Sequence, residues 1–312
     1  MTVPHNSTAN SPRWTRTSMD DLSPTSPESV ARKVRALLNK LVPSNLETIW
    51  SHLIALASGD GPDNFACVVV VAVRAVFEHA MEDERWAAVY ALLYRKIAET
   101  IREMYTAAAQ RSSSRSLVNT HKALADSLEA RCADEFALWW ARAQSGAGEL
   151  AAPVFSDEYY YFQAGRRRSF GTLRFAAELF KLGLIAENVV HALVEKILSV
   201  PHLAVGLQMD ALYKLLSAVG EHLIKTANGR SRVDGYLARA EILELQSGVI
   251  DWRVPFVRQD LVDLHRRNWA TETLQTPIPG PPAISGRTKM RSPWHRGNDP
   301  RPDQSTNWRS TK

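Results

Sequence analysis

The segment from Arg166 to Val190 has a helical pattern that is apolar around far more than one face. At about 100° per residue, one side of this helix collects five apolar residues: Phe170, Leu173, Ala177, Phe180 and Leu184. Four more extend that surface towards the opposite side: Phe175, Ala176, Leu179 and Leu182. A narrow polar wedge remains, formed by Arg174, Glu178 and Lys181. A surface helix has a single apolar stripe. This helix is therefore packed on both sides, or packed on one side and offered to a partner on another.

The chain between residues 28 and 270 reads as helical almost without exception. Helices are predicted over residues 30–41, 44–57, 65–81, 84–109, 119–144, 157–182, 187–199, 209–225, 231–246 and 257–267. The spacing of Ser44 and Glu47 predicts a capping box at the start of the second helix. No segment alternates with the period of a strand. Successive helices joined by short turns predict an all-α fold of stacked helical hairpins, an α-solenoid.

The two ends of the chain differ from this helical middle. Residues 1–27 and 271–312 are rich in Ser, Thr and Pro and lack apolar periodicity, which predicts two disordered tails. The formal charge of +5 sits mostly in the C-terminal tail, which holds seven Lys or Arg and three acids. The predicted fold is therefore close to neutral, and any RNA contact there requires a local basic patch.

No motif for catalysis or for a cofactor is present. The sequence lacks a P-loop, a metalloprotease helix and a nucleophile elbow, so the chain is predicted to be no enzyme and to need no cofactor or metal. Cys67 and Cys132 lie in apolar helical contexts, which predicts buried free thiols in a reducing compartment. The apolar run at residues 64–77 is interrupted by Arg74 and is shorter than the ~20 residues that span a bilayer. No secretory signal is recognised at the N-terminus, so a cytoplasmic protein without membrane contact is expected.

Basic and aromatic residues supply the candidate RNA contacts. Arg166, Arg167 and Arg168 form the sharpest basic cluster of the predicted fold; they either pair with local acids or contact phosphate or partner carboxylates. These arginines also give Ser169 the spacing of a basophilic kinase site. The tail either offers Arg287, Lys289, Arg291 and Arg296 for weak, sequence-tolerant RNA binding or is a Pro-rich spacer whose charge is incidental. The adjacent Trp139 and Trp140 cannot both face the core, so one of them is expected to be partly exposed.

Five phrases of the chain resemble the middle domain of eukaryotic translation initiation factor 4 gamma, in the order of that family. They are VRALLNKLVPSNLETI (34–49), VFEHAMEDERWAAVYALLYRKIAE (76–99), SLEARCADEF (127–136), RRRSFGTLRFAAELFKLGLIAENVV (166–190) and VRQDLVDLHRRNW (257–269). The resemblance implies a crescent of about five HEAT-type hairpins. It also implies a scaffold that orients the two lobes of the DEAD-box helicase initiation factor 4A and contacts mRNA, with other initiation factors left open as partners.

The resemblance also implies which residues meet the helicase. Those that match the family phrases are Asn39, Lys40, Phe175, Glu178, Phe180, Lys181, Arg253, Phe256, Asp260 and Trp269. Phe256 is either a core residue or an anchor in a pocket of the partner. Pro255 and Arg258 depart from the usual Arg and Leu of the family, which puts the contact with the N-terminal helicase lobe in doubt.

Two further possibilities come from the limits of the resemblance. The short flanks, without a cap-protein motif, suggest a stand-alone middle domain, which could activate the helicase or sequester it. The second function class is an RNA-binding α-solenoid without a helicase partner, and intact helicase-facing phrases favour the scaffold over it.

Overall fold

The computed structural model describes residues 27–58, 62–111, 116–144, 153–199, 205–246 and 252–270. These residues form α1 (Pro27–Leu38), α2 (Leu46–Ala57), α3 (Pro62–Glu82), α4 (Ala87–Arg111), α5 (Ser116–Gln144), α6 (Asp157–Lys181), α7 (Glu187–Leu198), α8 (Val205–Leu223), α9 (Ala227–Gln246) and α10 (Arg253–Arg266). Short 3₁₀ turns at Pro43–Asn45 and Glu84–Trp86 precede α2 and α4. These described ranges contain no strand, so the predicted all-α fold is confirmed. Apart from Pro27, the two predicted tails lie outside the described residues.

The ten helices form five successive hairpins. Each odd-numbered helix contacts the helix that follows it, from the pair α1 and α2 to the pair α9 and α10. Each hairpin also contacts the next, through α1 with α3, α4 with α6, α6 with α8, and α8 with α10. Stacking of this kind buries faces that no single hairpin could cover. The prediction of about five hairpins arranged as a solenoid is therefore confirmed.

Helix α6 is the central element of this stack. It contacts α3, α4, α5, α7 and α8, and eleven of its residues are buried. Of the two alternatives for its unusual apolar pattern, packing on both sides is correct. Gly171 permits the close crossing with α3, because a Cβ at that position would overlap the backbone carbonyl of Met81. The buried Ser169 hydroxyl donates to the carbonyl of Gly165 at 2.8 Å.

Helices α6, α8 and α10 run in the same direction. The Asp210 carboxylate in the first half of α8 contacts Arg166 in the first half of α6 and Arg253 at the start of α10. Towards their ends, the rings of Phe180 and His222 lie 6.4 Å apart. Helix α3 ends beside the middle of α6, where Glu82 pairs with Arg168. The first halves of α6 and α8, the start of α10 and the end of α3 therefore meet along one edge.

Local hydrogen bonds set where several helices begin and end. Ser156 caps α6 by accepting from the amide of Tyr159 at 3.1 Å, an arrangement worth about 1 kcal/mol. After α6 the chain turns through Gly183, whose φ of 69° is the left-handed region that glycine adopts without strain. The amide of Leu184 then donates back to the carbonyl of Leu179 at 2.9 Å, which completes a Schellman motif.

The predicted capping box at Ser44 and Glu47 is wrong. Residues 43–45 form a 3₁₀ turn, and α2 begins at Leu46 with Asn45 as its N-cap. The Asn45 side chain instead closes the preceding turn, accepting from the amide of Val42 at 2.8 Å and donating to the carbonyl of Lys40 at 2.7 Å. Because the side-chain amide of Asn45 already makes these two hydrogen bonds, it does not cap α2.

Two sequence predictions concern buried side chains. Trp140 is buried and Trp139 is half-buried, as expected for adjacent helical positions. Cys132 is buried, whereas Cys67 is only half-buried, so the prediction of two buried thiols holds for one of them. Both cysteines are free. Burial raises the pKa of the Cys132 thiol to about 12, which keeps it protonated at physiological pH.

Candidate functional site

A set of ion pairs lines the edge where the first halves of α6 and α8 and the start of α10 meet the end of α3. We call it the charged edge; its members are Glu82, Glu84, Arg166, Arg167, Arg168, Asp210, Lys214 and Arg253. It joins side chains from four helices and from the turn that precedes α4. The five bases exceed the three acids, so this edge carries a local positive surplus.

Asp210 lies at the centre of the charged edge and accepts from two arginines. Its carboxylate is 2.8 Å from Arg166 of α6 and 2.9 Å from Arg253 of α10, with a second oxygen 3.0 Å from Arg253. The Asp210 side chain is only 14% exposed, so these charge-assisted hydrogen bonds are partly shielded from water. One carboxylate therefore orients a predicted RNA-binding residue and a predicted helicase-binding residue together.

The other two arginines of the basic triplet share Glu82. Arg168 pairs closely with one oxygen of this carboxylate, and Arg167 lies 3.4 Å from the other. On the neighbouring helix, Lys214 reaches both oxygens of Glu84 at 2.7 and 2.9 Å. The structure thus shows the local pairing that was one of the two alternatives for the triplet. Arg167, with 61% of its side chain exposed, remains the most accessible of the three.

An exposed aromatic pair lies at the start of α10. Trp252 and Phe256 are 71% and 66% exposed, and their ring centroids are 6.2 Å apart in an edge-to-face contact. The alternative that Phe256 is a core residue is therefore wrong. Sequence reasoning missed Trp252, although its position four residues before Phe256 places both rings on one side of a helical turn. Arg253, which lies between them in sequence, is oriented by Asp210 and is 49% exposed.

Other residues matched to helicase contacts also reach the surface. Asn39 and Lys40 are exposed immediately after α1, and the hydroxyl of Tyr90 donates to the carbonyl of Leu38 at 3.4 Å, which ties that end of α1 to α4. Asp260 is exposed on α10. Phe180 and Lys181 are half-buried at the end of α6, away from the charged edge. The predicted contacts are thus spread over several surfaces of the stack.

Three residues matched to helicase contacts lie in the interior. Phe175 is completely buried and packs edge-to-face on Phe77, with centroids 5.1 Å apart. Trp269 is 4% exposed, and Glu178 is 7% exposed and paired with Arg174 and Lys181 at 2.9 and 2.7 Å. The expectation that these side chains face a partner is corrected, because each is covered by its own fold.

The two departures from the family phrase both fit the local structure. Pro255 is the third residue of α10, where a backbone amide has no partner within the helix, so proline removes no helical hydrogen bond there. Arg258 forms a close ion pair with Glu244 of α9. Arg287, Lys289, Arg291 and Arg296 lie outside the described residues.

The described part of the chain offers no other chemistry of note. Within it, no group of three or more His, Cys, Asp and Glu residues could hold a metal ion. No helix in the same ranges is both long and apolar enough to cross a membrane. The charged edge and the aromatic pair at the start of α10 supply charged hydrogen-bonding groups and exposed rings.

Comparison with known proteins identifies the family. Residues 31–268 match the sequence profile of the MIF4G domain. The chain is 28% identical over 248 residues to eukaryotic translation initiation factor 4 gamma of Schizosaccharomyces pombe, covering 79% of this chain and 18% of that protein. It is 24% identical over 255 residues to eukaryotic initiation factor 4F subunit p130 of Saccharomyces cerevisiae, covering 78% and 27%.

A further relative and a solved structure also align with this chain. Human eukaryotic translation initiation factor 4 gamma 2 is 26% identical over 246 residues, covering 78% of this chain and 26% of that protein. The chain therefore spans about a fifth to a quarter of the curated relatives it matches. The MIF4G domain of Trypanosoma cruzi translation initiation factor EIF4G5 aligns with a TM-score of 0.43 at 16% identity, covering 77% of this chain and 96% of that one. Because the profile match covers well over half of the 312 residues, the chain belongs to the MIF4G domain family.

Proposed function

We propose that this protein is a non-catalytic scaffold of cytoplasmic translation initiation. In this proposal, residues 28–270 bind a DEAD-box RNA helicase of the initiation factor 4A type and orient its lobes. The same protein contacts mRNA, partly through the basic tail at residues 271–312. Relatives named as translation initiation factor 4 gamma support the proposal, since the matched region covers most of this chain.

One observation carries the helicase part of the proposal. Trp252 and Phe256 are exposed side by side, and Arg253, between them in sequence, is held by Asp210. Exposed aromatic rings next to an oriented arginine are the residue types that dominate binding at protein interfaces. An aromatic anchor already in place loses little conformational freedom when the partner arrives. The start of α10 is therefore the surface on which we place the helicase contact.

The test measures helicase affinity with purified proteins by calorimetry. Phe256→Ala should weaken binding about ten- to a hundredfold, because burying a Phe side chain contributes roughly 1.5–3 kcal/mol. Arg253→Ala should weaken it as well, and Phe256→Ala should leave the melting temperature unchanged, because the Phe256 ring is exposed. The matched control is Leu245→Ala, which removes a side chain that is 78% exposed on α9. Pro255→Arg should strengthen the complex, because it adds a charge without breaking a helical hydrogen bond.

Several outcomes would contradict this assignment. If the unaltered protein does not bind the helicase at micromolar concentration and low salt, the helicase proposal is contradicted. An RNA-binding α-solenoid is then the remaining function. Equal affinities for Phe256→Ala and Leu245→Ala would move the contact elsewhere on the protein. Helicase ATPase activity, measured with and without the protein, distinguishes activation from sequestration, because only an activator raises the rate.

The RNA part has its own test. Binding to a single strand should weaken steeply as salt rises, since cationic side chains displace counterions from the phosphates. Deleting residues 271–312 should flatten this salt dependence, because it removes Arg287, Lys289, Arg291 and Arg296. An unchanged slope would place the RNA contact on the helical stack, where the basic triplet is the first candidate.

A further inference from the structure

The start of α6 repeats aromatic and basic residues at one fixed spacing. Tyr159, Tyr160 and Tyr161 precede Arg166, Arg167 and Arg168 by seven positions each. Seven residues complete almost two helical turns and advance about 10 Å, so each tyrosine lies on the same face as its arginine. The helix therefore presents ring and cation in register, two turns apart.

Both members of the Tyr160–Arg167 pair reach solvent, and so does the ring of Tyr161. Tyr160 is 55% exposed and Tyr161 is 47% exposed, and the Arg167 side chain is 61% exposed. Phe155, just before α6, is 77% exposed and has a φ of 73°, a conformation that few residues other than glycine adopt. Contiguous exposed rings of this kind mark a binding surface more often than an inert one.

Helix α5 fixes the position of Tyr161. The guanidinium of Arg142 lies 5.2 Å from the centroid of the Tyr161 ring and 4.2 Å from that of Trp139. Arg168 lies 4.6 Å from the same Trp139 ring. Rings and cations thus alternate across the α5–α6 contact as Tyr161, Arg142, Trp139 and Arg168. This stack orders the surface before any ligand is present.

We infer that Tyr160, Tyr161, Arg167 and Arg168, the tyrosine–arginine face, form a base-stacking site for single-stranded RNA. The inference rests on the RNA-binding part of the proposed function and adds a site to it. A base can stack on an exposed tyrosine while a neighbouring phosphate meets the arginine farther along the helix. Aromatic rings alone would serve an apolar protein partner, whereas a cation in register with each ring suits a ligand that alternates bases with phosphates.

Arg167 is available to a phosphate despite its local partner. Arg167 lies 3.4 Å from Glu82, and both side chains are largely exposed, at 61% and 42%. Exposed ion pairs of this kind are weak and are screened by salt. A backbone phosphate carries one negative charge, as the carboxylate does, and can compete with Glu82 for this exposed guanidinium. Arg168, whose side chain is 23% exposed, keeps its role in the stack.

The experiment measures fluorescence anisotropy of a labelled oligouridine of about twelve nucleotides, within the range of lengths that single-strand sites cover. Tyr160→Ala should weaken binding about tenfold and leave the salt slope unchanged, because stacking on a neutral ring releases no counterions. Arg167→Gln should weaken binding and reduce the slope by about 0.7. Tyr160→Phe keeps the ring and should retain affinity. Leu245→Ala is the control, since it removes exposed apolar area on a different helix.

The outcomes separate this inference from the function on which it rests. If the unaltered protein does not bind the oligonucleotide at low salt, the RNA part of the proposed function fails and the site fails with it. If it binds and Tyr160→Ala binds equally well, only the tyrosine–arginine face is overturned. A loss of helicase affinity in the absence of RNA, with RNA affinity intact, would overturn it in favour of a protein surface. Circular dichroism of each variant checks that α6 is retained.

Discussion

The indole ring of Trp269 lies directly against the backbone of Gly220. A Cβ at position 220 would overlap three carbon atoms of this ring, so only glycine leaves room for it. Trp269 follows α10 with a φ of 59°, and its amide donates to the carbonyl of Leu264 at 2.7 Å. This contact fixes the end of α10 on α8, and through α10 it supports the surface that carries Phe256.

Gly220→Ala should therefore destabilise the protein. Forcing a methyl group into a filled site costs about 1–3 kcal/mol, which should appear as a lower urea midpoint with an unchanged slope. Gly235→Ala is the matched control, because nothing lies within 4 Å of a Cβ at that exposed position of α9. That change should stabilise the helix by about 0.5–1 kcal/mol. Equal effects of the two substitutions would contradict the packing of Trp269 described above.

Tyr236→Phe should also lower the free energy of unfolding. The Tyr236 hydroxyl lies 2.9 Å from Nδ1 of the buried His191, whose Nε2 lies 3.0 Å from the Glu187 carboxylate. A carboxylate only accepts, so Nε2 carries the hydrogen in the neutral ring and Nδ1 accepts from tyrosine. Removing the hydroxyl leaves a buried acceptor unpaired, at a cost of about 1–3 kcal/mol. Tyr213→Phe, on the half-buried surface of α8, should cost less; a comparable loss would contradict this hydrogen-bond assignment.

The two cysteines should react at very different rates. Burial raises the pKa of Cys132 to about 12, so its reactive thiolate is scarce and shielded, whereas Cys67 is half-buried. Titration of the native protein with a thiol reagent near neutral pH should modify Cys67 first and Cys132 only after addition of denaturant. Cys67→Ser should abolish the native reaction. Fast modification of the Cys67→Ser protein would show that Cys132 is accessible.

Stability should fall when the pH drops below the ordinary pKa of histidine. Burial lowers the pKa of His79 from 6.5, an effect reinforced by Arg35 and opposed by Glu78 and Glu82. Below pH 6.5 the unfolded chain binds a proton that the folded His79 resists, so protonation favours unfolding. Above that pH this penalty is absent. Urea denaturation across this range should show the decline, and His79→Gln should reduce it. A steeper loss of stability in the His79→Gln variant would contradict a lowered pKa of His79 as its cause.

The helices could be predicted because their determinants are local. Apolar periodicity located α6 to within one residue, from Asp157 to Lys181, and the absence of alternation excluded strands. The capping box failed for a similarly local reason, since Asn45 had a competing hydrogen bond in the turn before it. Periodicity also showed that α6 carries more apolar surface than one neighbouring helix can cover. It could not distinguish a second helix of the same chain from a separate partner protein as the other contact.

The candidate site was less predictable because its contacts join distant parts of the chain. Arg166 and Asp210 are 44 positions apart, and Arg168 and Glu82 are 86 apart, so no local pattern reveals that they pair. Family phrases identified Phe175 and Phe256 equally well, yet one is fully buried and the other largely exposed. A match of residue types predicts the fold. Whether a given side chain is exposed depends on residues that pack against it from distant parts of the chain, which a short sequence match does not include.

The position of Ser169 has a consequence for regulation. Three arginines immediately before it resemble the signal that basophilic kinases read, yet its hydroxyl is buried and bonded to the carbonyl of Gly165. A kinase needs several residues on each side of its target in extended form, which α6 does not offer while it crosses α3. Ser169 could thus be phosphorylated only before α6 folds and packs on α3. The phosphate would then hinder the close packing of the two helices at Gly171. Phosphorylation of Ser169 would therefore affect the folding of the chain and would not regulate the folded protein.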